Sequence, residues 1–268
     1  MTTTVNQTQA HRVDGEPGVG ASLEAVRRRL GHWLRIDASR LLWPSRCLVC
    51  EAPGLEGLDL CGACCDALPW NRCACPHCAL PLATPGVCGA CLRRGAVRAR
   101  RGRAPLLDGV HAAFVYAAPL DRLLPRFKFH RDLAAGALLS QLVADAARQW
   151  PRPHALVPVP LHRARLRRRG YDQALELARP LAQALELPLR GDLLWRTRAT
   201  AAQSELGAGA RRRNLRGAFA VRCPDALPAH VALVDDVMTT GTTVLAAAEA
   251  LRRAGVQRVD AWVCARVP

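Results

Sequence analysis

Two residue types are nearly missing from this chain. Aromatic side chains make up 4% of its 268 residues, and of its 38 lysines and arginines only Lys128 is lysine. With few rings there is little material for stacking platforms under nucleobases. No run of 18 apolar residues occurs, which excludes a transmembrane helix. The first residues, MTTTVNQTQAHRVDGEPGVGAS, hold neither a basic n-region nor an apolar h-region, so they do not read as a secretory signal. They are expected to be a disordered tail over 1–22. G-x-x-x-x-G-K-[ST] is absent as well, which excludes a nucleoside-triphosphate P-loop.

Arginine and cysteine are abundant. The formal net charge is +16, which predicts attraction to polyanions without choosing among nucleic acid, nucleotides and anionic membrane. A GC-rich genome that prefers arginine to lysine is the plain alternative. There are 12 cysteines. With no export signal they are expected in a reducing compartment, the cytoplasm, where metal binding is a better default than disulfides.

Leu23, Val26, Leu30, Trp33 and Leu34 recur at helical spacing, predicting an amphipathic helix over 23–43. Four C-x-x-C pairs follow within 44–92: Cys47 with Cys50, Cys61 with Cys64, Cys75 with Cys78, and Cys88 with Cys91. Two sulfurs three residues apart on a tight turn can face one ion, and two such turns complete a tetrahedral thiolate cage. The two halves repeat at an offset of 27 to 28 residues, which suggests a duplicated knuckle pair and two structural Zn2+ ions. Consecutive knuckles could share an ion, or alternate ones could in a cross-brace; Cys73 could displace Cys75. Such a segment has too little apolar content to fold without a staple. A closed thiolate site offers no open position for catalysis. Cys223 and Cys264, in strand-like surroundings, read as small core residues. RRGAVRARRGRAP then reads as a basic linker or exposed loop, over 93–108.

From 109 to 268 apolar strand-like runs alternate with helical patterns. GVHAAFVYA, HALVPVP, VALVD and RVDAWVCA read as strands; DLAAGALLSQLVADAARQW, DQALELARPLAQALEL and TVLAAAEALRRAG read as helices. The fold class is α/β, a mainly parallel sheet flanked by helices. Ligands of such sheets bind beyond the carboxyl ends of the strands. At one of those ends stands VALVDDVMTTGTTV, residues 231–244. Its apolar run stops at Asp235 and Asp236, and a loop of Thr239, Thr240, Gly241, Thr242 and Thr243 leads into a helix. Loop amides at a helix N-terminus suit a phosphate, and Gly241 admits close backbone approach. The two acids suit vicinal hydroxyls and a hydrated magnesium ion. Together they describe a site for a ribose 5-phosphate.

The stretch resembles the 5-phosphoribosyl-1-pyrophosphate (PRPP) signature of type I phosphoribosyltransferases. Together with VPVPLHRARLRRRGYDQALELA, QSELGAGARRRNLRGAF and the cysteine pairs, it resembles the ComF family, which includes the GntX-like proteins, over roughly residues 41–268. That resemblance implies a double zinc-ribbon module joined to a type I phosphoribosyltransferase fold with a hood loop. It implies Asp235 and Asp236 on the ribose hydroxyls, Thr239 to Thr243 around the 5-phosphate, and PRPP with Mg2+ as ligand. It also implies a part in DNA uptake or use, with single-stranded DNA and a helicase-like competence protein as possible partners.

PVPLHRARLRRRG occupies the place of the pyrophosphate loop, where guanidinium groups suit a multiply charged leaving group; Arg163 and Arg169 are its candidates, among Arg165, Arg167 and Arg168. RTRATAAQSELGAGARRRN occupies that of the hood, with Arg211, Arg212, Arg213 and Asn214 as anion candidates. Two departures stand out. The family's Arg-Gly-aromatic-Asn-Gln appears as RGYDQ, with Asp172 able to cap the next helix but not to act as an amide donor. Thr239 stands where 6-oxopurine salvage enzymes of the wider fold place an acidic base. No catalytic residue and no acceptor follow from the sequence.

Overall fold

A computed structural model of the chain describes residues 45–102, 104–198, 215, 217–222 and 227–268. The expected tail and amphipathic helix, the hood candidates Arg211 to Asn214, and Cys223 all lie outside the described residues. The chain divides into two units, Met1–Ser45 and Arg46–Pro268, and everything below concerns the second.

The cysteine segment contributes two short helices, α1 (Gly62–Asp66) and α2 (Gly89–Arg100). The rest runs β1 (Gly109–Val115), α3 (Leu120–Phe129), α4 (Leu133–Ala147), β2 (Ala155–Pro158), α5 (Arg163–Arg169), α6 (Gln173–Ala184), β3 (Leu194–Arg196), β4 (Phe219–Val221), β5 (His230–Met238), α7 (Thr242–Ala254) and β6 (Arg258–Arg266). Among the described residues β1, β6, β5 and β2 form, in that order, a four-stranded sheet, parallel at every pairing. A second, antiparallel ladder joins β3 to β4.

Parallel sheets are covered on both faces, and the strands read accordingly as continuous apolar runs. Along β5, Ala232 and Val234 join the core under α4 and α6, while Val231 and Leu233 join the core under α7. The ribbons extend both cores. Cys47, Leu60 and Leu68 lie in the first; Cys75, Cys78 and Cys88 lie in the second. The amide of Asn71 donates to Ala113 O and that of Val115 to Pro69 O, so the cysteine segment runs along β1 and covers the edge of the sheet.

Two expectations need correction in detail, and one helix went unread. The basic stretch after Cys91 is exposed but helical as far as Arg100, because leucine, alanine and arginine favour helix and only Gly95 and Val97 among them do not. PVPLHRARLRRRG is not a loop throughout: α5 forms within it, with His162 Nδ1 accepting from Ala164 N and Gly170 at φ +87° ending it. A further helix, α3, precedes α4; Pro119 and Pro125 had hidden it, and Pro125 sits inside it.

Candidate functional site

Two groups of side chains carry chemistry, the sulfurs of the ribbons and a pocket beside β5. The sulfurs of Cys47, Cys50, Cys61 and Cys64 lie within 4.8 Å of one another, as do those of Cys75, Cys78, Cys88 and Cys91. Consecutive knuckles therefore share a cluster; there is no cross-brace, and Cys65, Cys73 and His77 belong to neither cluster. The repeat holds at the backbone. Glu51 and Ala79, each following the second cysteine of a knuckle, have φ of +66° and +53°, and bridges join Arg46 to Pro53 and Ala74 to Pro81.

Neighbouring sulfurs are 3.6 Å apart for Cys50 with Cys61, Cys50 with Cys64, and Cys78 with Cys88. That is far too long for a disulfide. It is close to the roughly 3.8 Å edge of a tetrahedron with metal–sulfur bonds of about 2.3 Å. Without a cation the sulfurs resist ionising together: the Cys64 thiol is pushed up to about 12, first by its Cys61 neighbour. The donor set fits two structural Zn2+ ions, one to each cluster.

The pocket arises from unequal strand lengths. β2 ends at Pro158, paired with Val234, whereas β5 runs four residues farther, to Met238, still paired with β6. Asp235 and Asp236 thus lie inside the strand, just past the point where its β2 neighbour leaves. Asp236 N donates to Asp235 Oδ1 at 2.9 Å and Val237 N to Asp236 Oδ1 at 2.6 Å. Around the acids is a pocket of about 220 Å3. Lys128 and Phe129 from α3, Val159 to Leu161 after β2, Arg165 and Arg169 from α5, Asp172 and Gln173 at the start of α6, Arg196 from β3 and Thr243 from α7 line it.

Lys128 Nζ lies 3.1 Å from Asp236 Oδ2. Burial, and then the Asp236 charge, push the Asp235 carboxyl well above the usual carboxylate range, against the pull of Lys128. Burial also lowers the Arg196 guanidinium to about 10 and lowers that of Arg165. Arg165 and Arg169 are four residues apart and so share one face of α5. Arg169 Nη1 donates to Gln173 Oε1 at 2.7 Å and its guanidinium lies over the Phe129 ring. The Gln173 side chain is buried, and its Nε2 has no partner among the described residues. A buried donor left open at a pocket wall costs free energy unless a ligand oxygen or water meets it.

Asp172 is the hinge of this wall. Its Oδ1 accepts from Ala174 N and Leu175 N, capping α6, and its Oδ2 accepts from Leu161 N at 2.8 Å, tying the segment after β2 to that helix. Past β5, Thr239 and Thr240 are exposed; Gly241 takes φ +72°, where an added Cβ would meet Met238 Sδ at 3.3 Å. Thr242 and Thr243 open α7, whose first turn has no side-chain cap, and the Thr240 and Thr242 hydroxyls lie 2.7 Å apart.

Of the residues singled out from sequence, Asp235, Asp236, Thr243 and Arg169 line the pocket, and Thr239 to Thr242 form the turn beside it. Arg163 is exposed and lies outside the lining. Sequence reasoning passed over Lys128, Phe129 and Arg196 as site residues. Being the only lysine was a visible signal for the first; Arg196 had none, because its approach depends on the β3–β4 ladder.

Comparison with known proteins agrees with this architecture. Residues 38–92 match the double zinc ribbon domain and residues 172–268 the phosphoribosyl transferase domain. The chain is 34% identical over 231 residues to the DNA utilization protein YhgH of Salmonella typhi, covering 83% of this chain and 97% of that one. The chain belongs to the ComF/YhgH family. Competence protein F of Haemophilus influenzae is 37% identical over 67% of this chain and 78% of its own. Competence protein ComFC of Bacillus subtilis is 28% identical over 68% and 72%. This ComF/YhgH family member thus joins a double zinc ribbon to an α/β phosphoribosyltransferase domain, and no helix among its described residues is long and apolar enough to cross a membrane.

Proposed function

We propose that the pocket beside β5 binds PRPP with magnesium, and that the protein serves the uptake or use of DNA, as the names of its relatives suggest for them. The observation that carries the reading is the meeting of unlike groups in one pocket. Asp235 and Asp236 can accept from vicinal hydroxyls; Arg165, Arg169 and the open Gln173 Nε2 can meet pyrophosphate oxygens; and the turn Thr239–Gly241 leads into the uncapped start of α7, beside Thr243 in the pocket wall. The acids would also hold magnesium, which supplies charge neutralisation to a pyrophosphate leaving group. The reaction open to such a site is displacement of pyrophosphate from C1 by a nitrogen nucleophile, promoted by positioning and by charge rather than by a covalent protein nucleophile. The thiolate clusters fit a reducing compartment, the cytoplasm.

Calorimetric titration with PRPP and magnesium tests the binding. Wild type should bind, and Asp235→Ala combined with Asp236→Ala should not; equal heats in both refute the site. Following pyrophosphate release with a panel of nucleobases separates turnover from binding alone.

A second reading, a non-catalytic partner of single-stranded DNA or of a helicase-like protein, is favoured by α2, which presents Arg93, Arg94 and Arg100 to solvent with Leu92 and Val97 also exposed. Binding of single strands that weakens steeply with salt, in the absence of PRPP turnover, supports it.

A further inference from the structure

The charge composition of the chain and the geometry of its pocket meet at one residue. Of 38 basic Lys and Arg side chains only that at position 128 is lysine. It does not stand on an open surface where either type would serve. Its side chain is 21% exposed, sits in the last turn of α3 and lines the pocket, with Nζ 3.1 Å from Asp236 Oδ2. The other three cations of that lining, Arg165, Arg169 and Arg196, are guanidinium groups. A chain that uses arginine at every other Lys or Arg position uses an ammonium in the ion pair with Asp236.

We propose that Lys128 is the movable counter-ion of the pocket, neutralising Asp236 in the free protein and passing to a phosphoryl oxygen of the ligand when hydroxyls or magnesium take over the carboxylate. The second half of this rests on the PRPP reading above; the first half rests on the ion pair alone. Asp236 is 9% exposed and shares its surroundings with Asp235 and Asp172, so its charge needs a partner before any ligand arrives. A ligand that uses Asp236 must displace that partner or share it. An ammonium is a point charge on a flexible four-carbon stem and can exchange one oxygen for another by rotation. A guanidinium at the same place would grip the two neighbouring carboxylates as a planar fork, and would hold back the acids that the ligand needs. The transfer also favours phosphorylated ligands over bare sugars, since only they give the displaced ammonium a new anion.

The test uses the full chain as wild type, Lys128→Arg and Lys128→Gln, titrated with magnesium chloride alone and with PRPP plus magnesium, while thermal unfolding reports folding. Lys128→Arg keeps the charge; it should unfold as wild type does yet bind PRPP at least about tenfold more weakly. Lys128→Gln should bind magnesium alone about tenfold more tightly than wild type, because Asp236 has lost its ion-pair partner, and should bind PRPP more weakly. Wild-type affinity for PRPP in Lys128→Arg overturns the transfer. Unchanged magnesium affinity in Lys128→Gln overturns the counter-ion, and does so even if wild type proves not to bind PRPP, which would sink the ligand reading separately. An unfolded Lys128→Gln beside a folded Lys128→Arg would itself show that Asp236 requires a cation.

Discussion

Replacing Asp172 by Asn converts RGYDQ into the family's more usual wording, and a conservative outcome would be expected from that alone. The structure argues for the opposite. Both carboxylate oxygens of Asp172 are acceptors here: Oδ1 for Ala174 N and Leu175 N, Oδ2 for Leu161 N. Asn has one acceptor oxygen and one donor nitrogen. If the oxygen keeps the cap of α6, the amide nitrogen faces Leu161 N, donor against donor at what was 2.8 Å. The cost is that of a backbone amide left unmet, about 1–3 kcal/mol, partly offset because burial already raises the Asp172 pKa and makes its charge expensive. For a domain of this size each kcal/mol moves the melting temperature by about 2–4 °C, so Asp172→Asn should melt roughly 2–10 °C lower. Hydrogen exchange places the loss: the Leu161 amide should exchange much faster in the variant, while the amides of Ala174 and Leu175 stay protected. An unchanged melting temperature together with a still-protected Leu161 amide would refute the reasoning.

Three more outcomes can be checked. The Asp235 carboxyl is raised in the folded chain, so above about pH 4 the unfolded chain ionises first and stability falls as pH rises through the window up to the folded value; Asp235→Asn, which keeps an oxygen for Asp236 N, should melt higher than wild type at pH 7.5 and equal to it near pH 4, and parallel melting profiles would contradict this. Metal analysis should find about two zinc ions per chain and, for Cys78→Ser, about one, with a melting temperature lower by roughly 10 °C or more, since that cluster shares a core with α7 and β5; an unchanged zinc content would exclude the assignment. If α2 contacts single-stranded DNA, removing Arg93, Arg94 and Arg100 together should reduce the slope of log affinity against log salt by up to about 2, and an unchanged slope would move the contact elsewhere.

What the sequence disclosed and what it withheld divide along a physical line. Local periodicity and spacing are written in consecutive residues, and from them the parallel β/α alternation, the flanking helices and the four cysteine pairs could be read. Pairings distant along the chain could not. The cysteine spacing fits shared and crossed clusters equally, and the choice is visible only in which sulfurs the folded backbone brings within 4.8 Å of one another. The acids of β5 were visible, but reading the strand as VALVD, ending at Asp235, concealed how the pocket forms. Hydrophobicity stops at Val234, whereas the ladder to β6 carries on to Met238. Strand length here is set by the neighbour on one side and pocket position by the absence of a neighbour on the other. Arginines show the same division. Five of them crowd α5, and composition treats them alike. Once that segment coils into a helix, the four-residue spacing of Arg165 and Arg169 turns this pair to the acids, and Arg163, Arg167 and Arg168 stay exposed. A solvent-facing basic surface and two guanidinium groups of the pocket wall are therefore drawn from one basic run, with helical phase deciding which residue goes where.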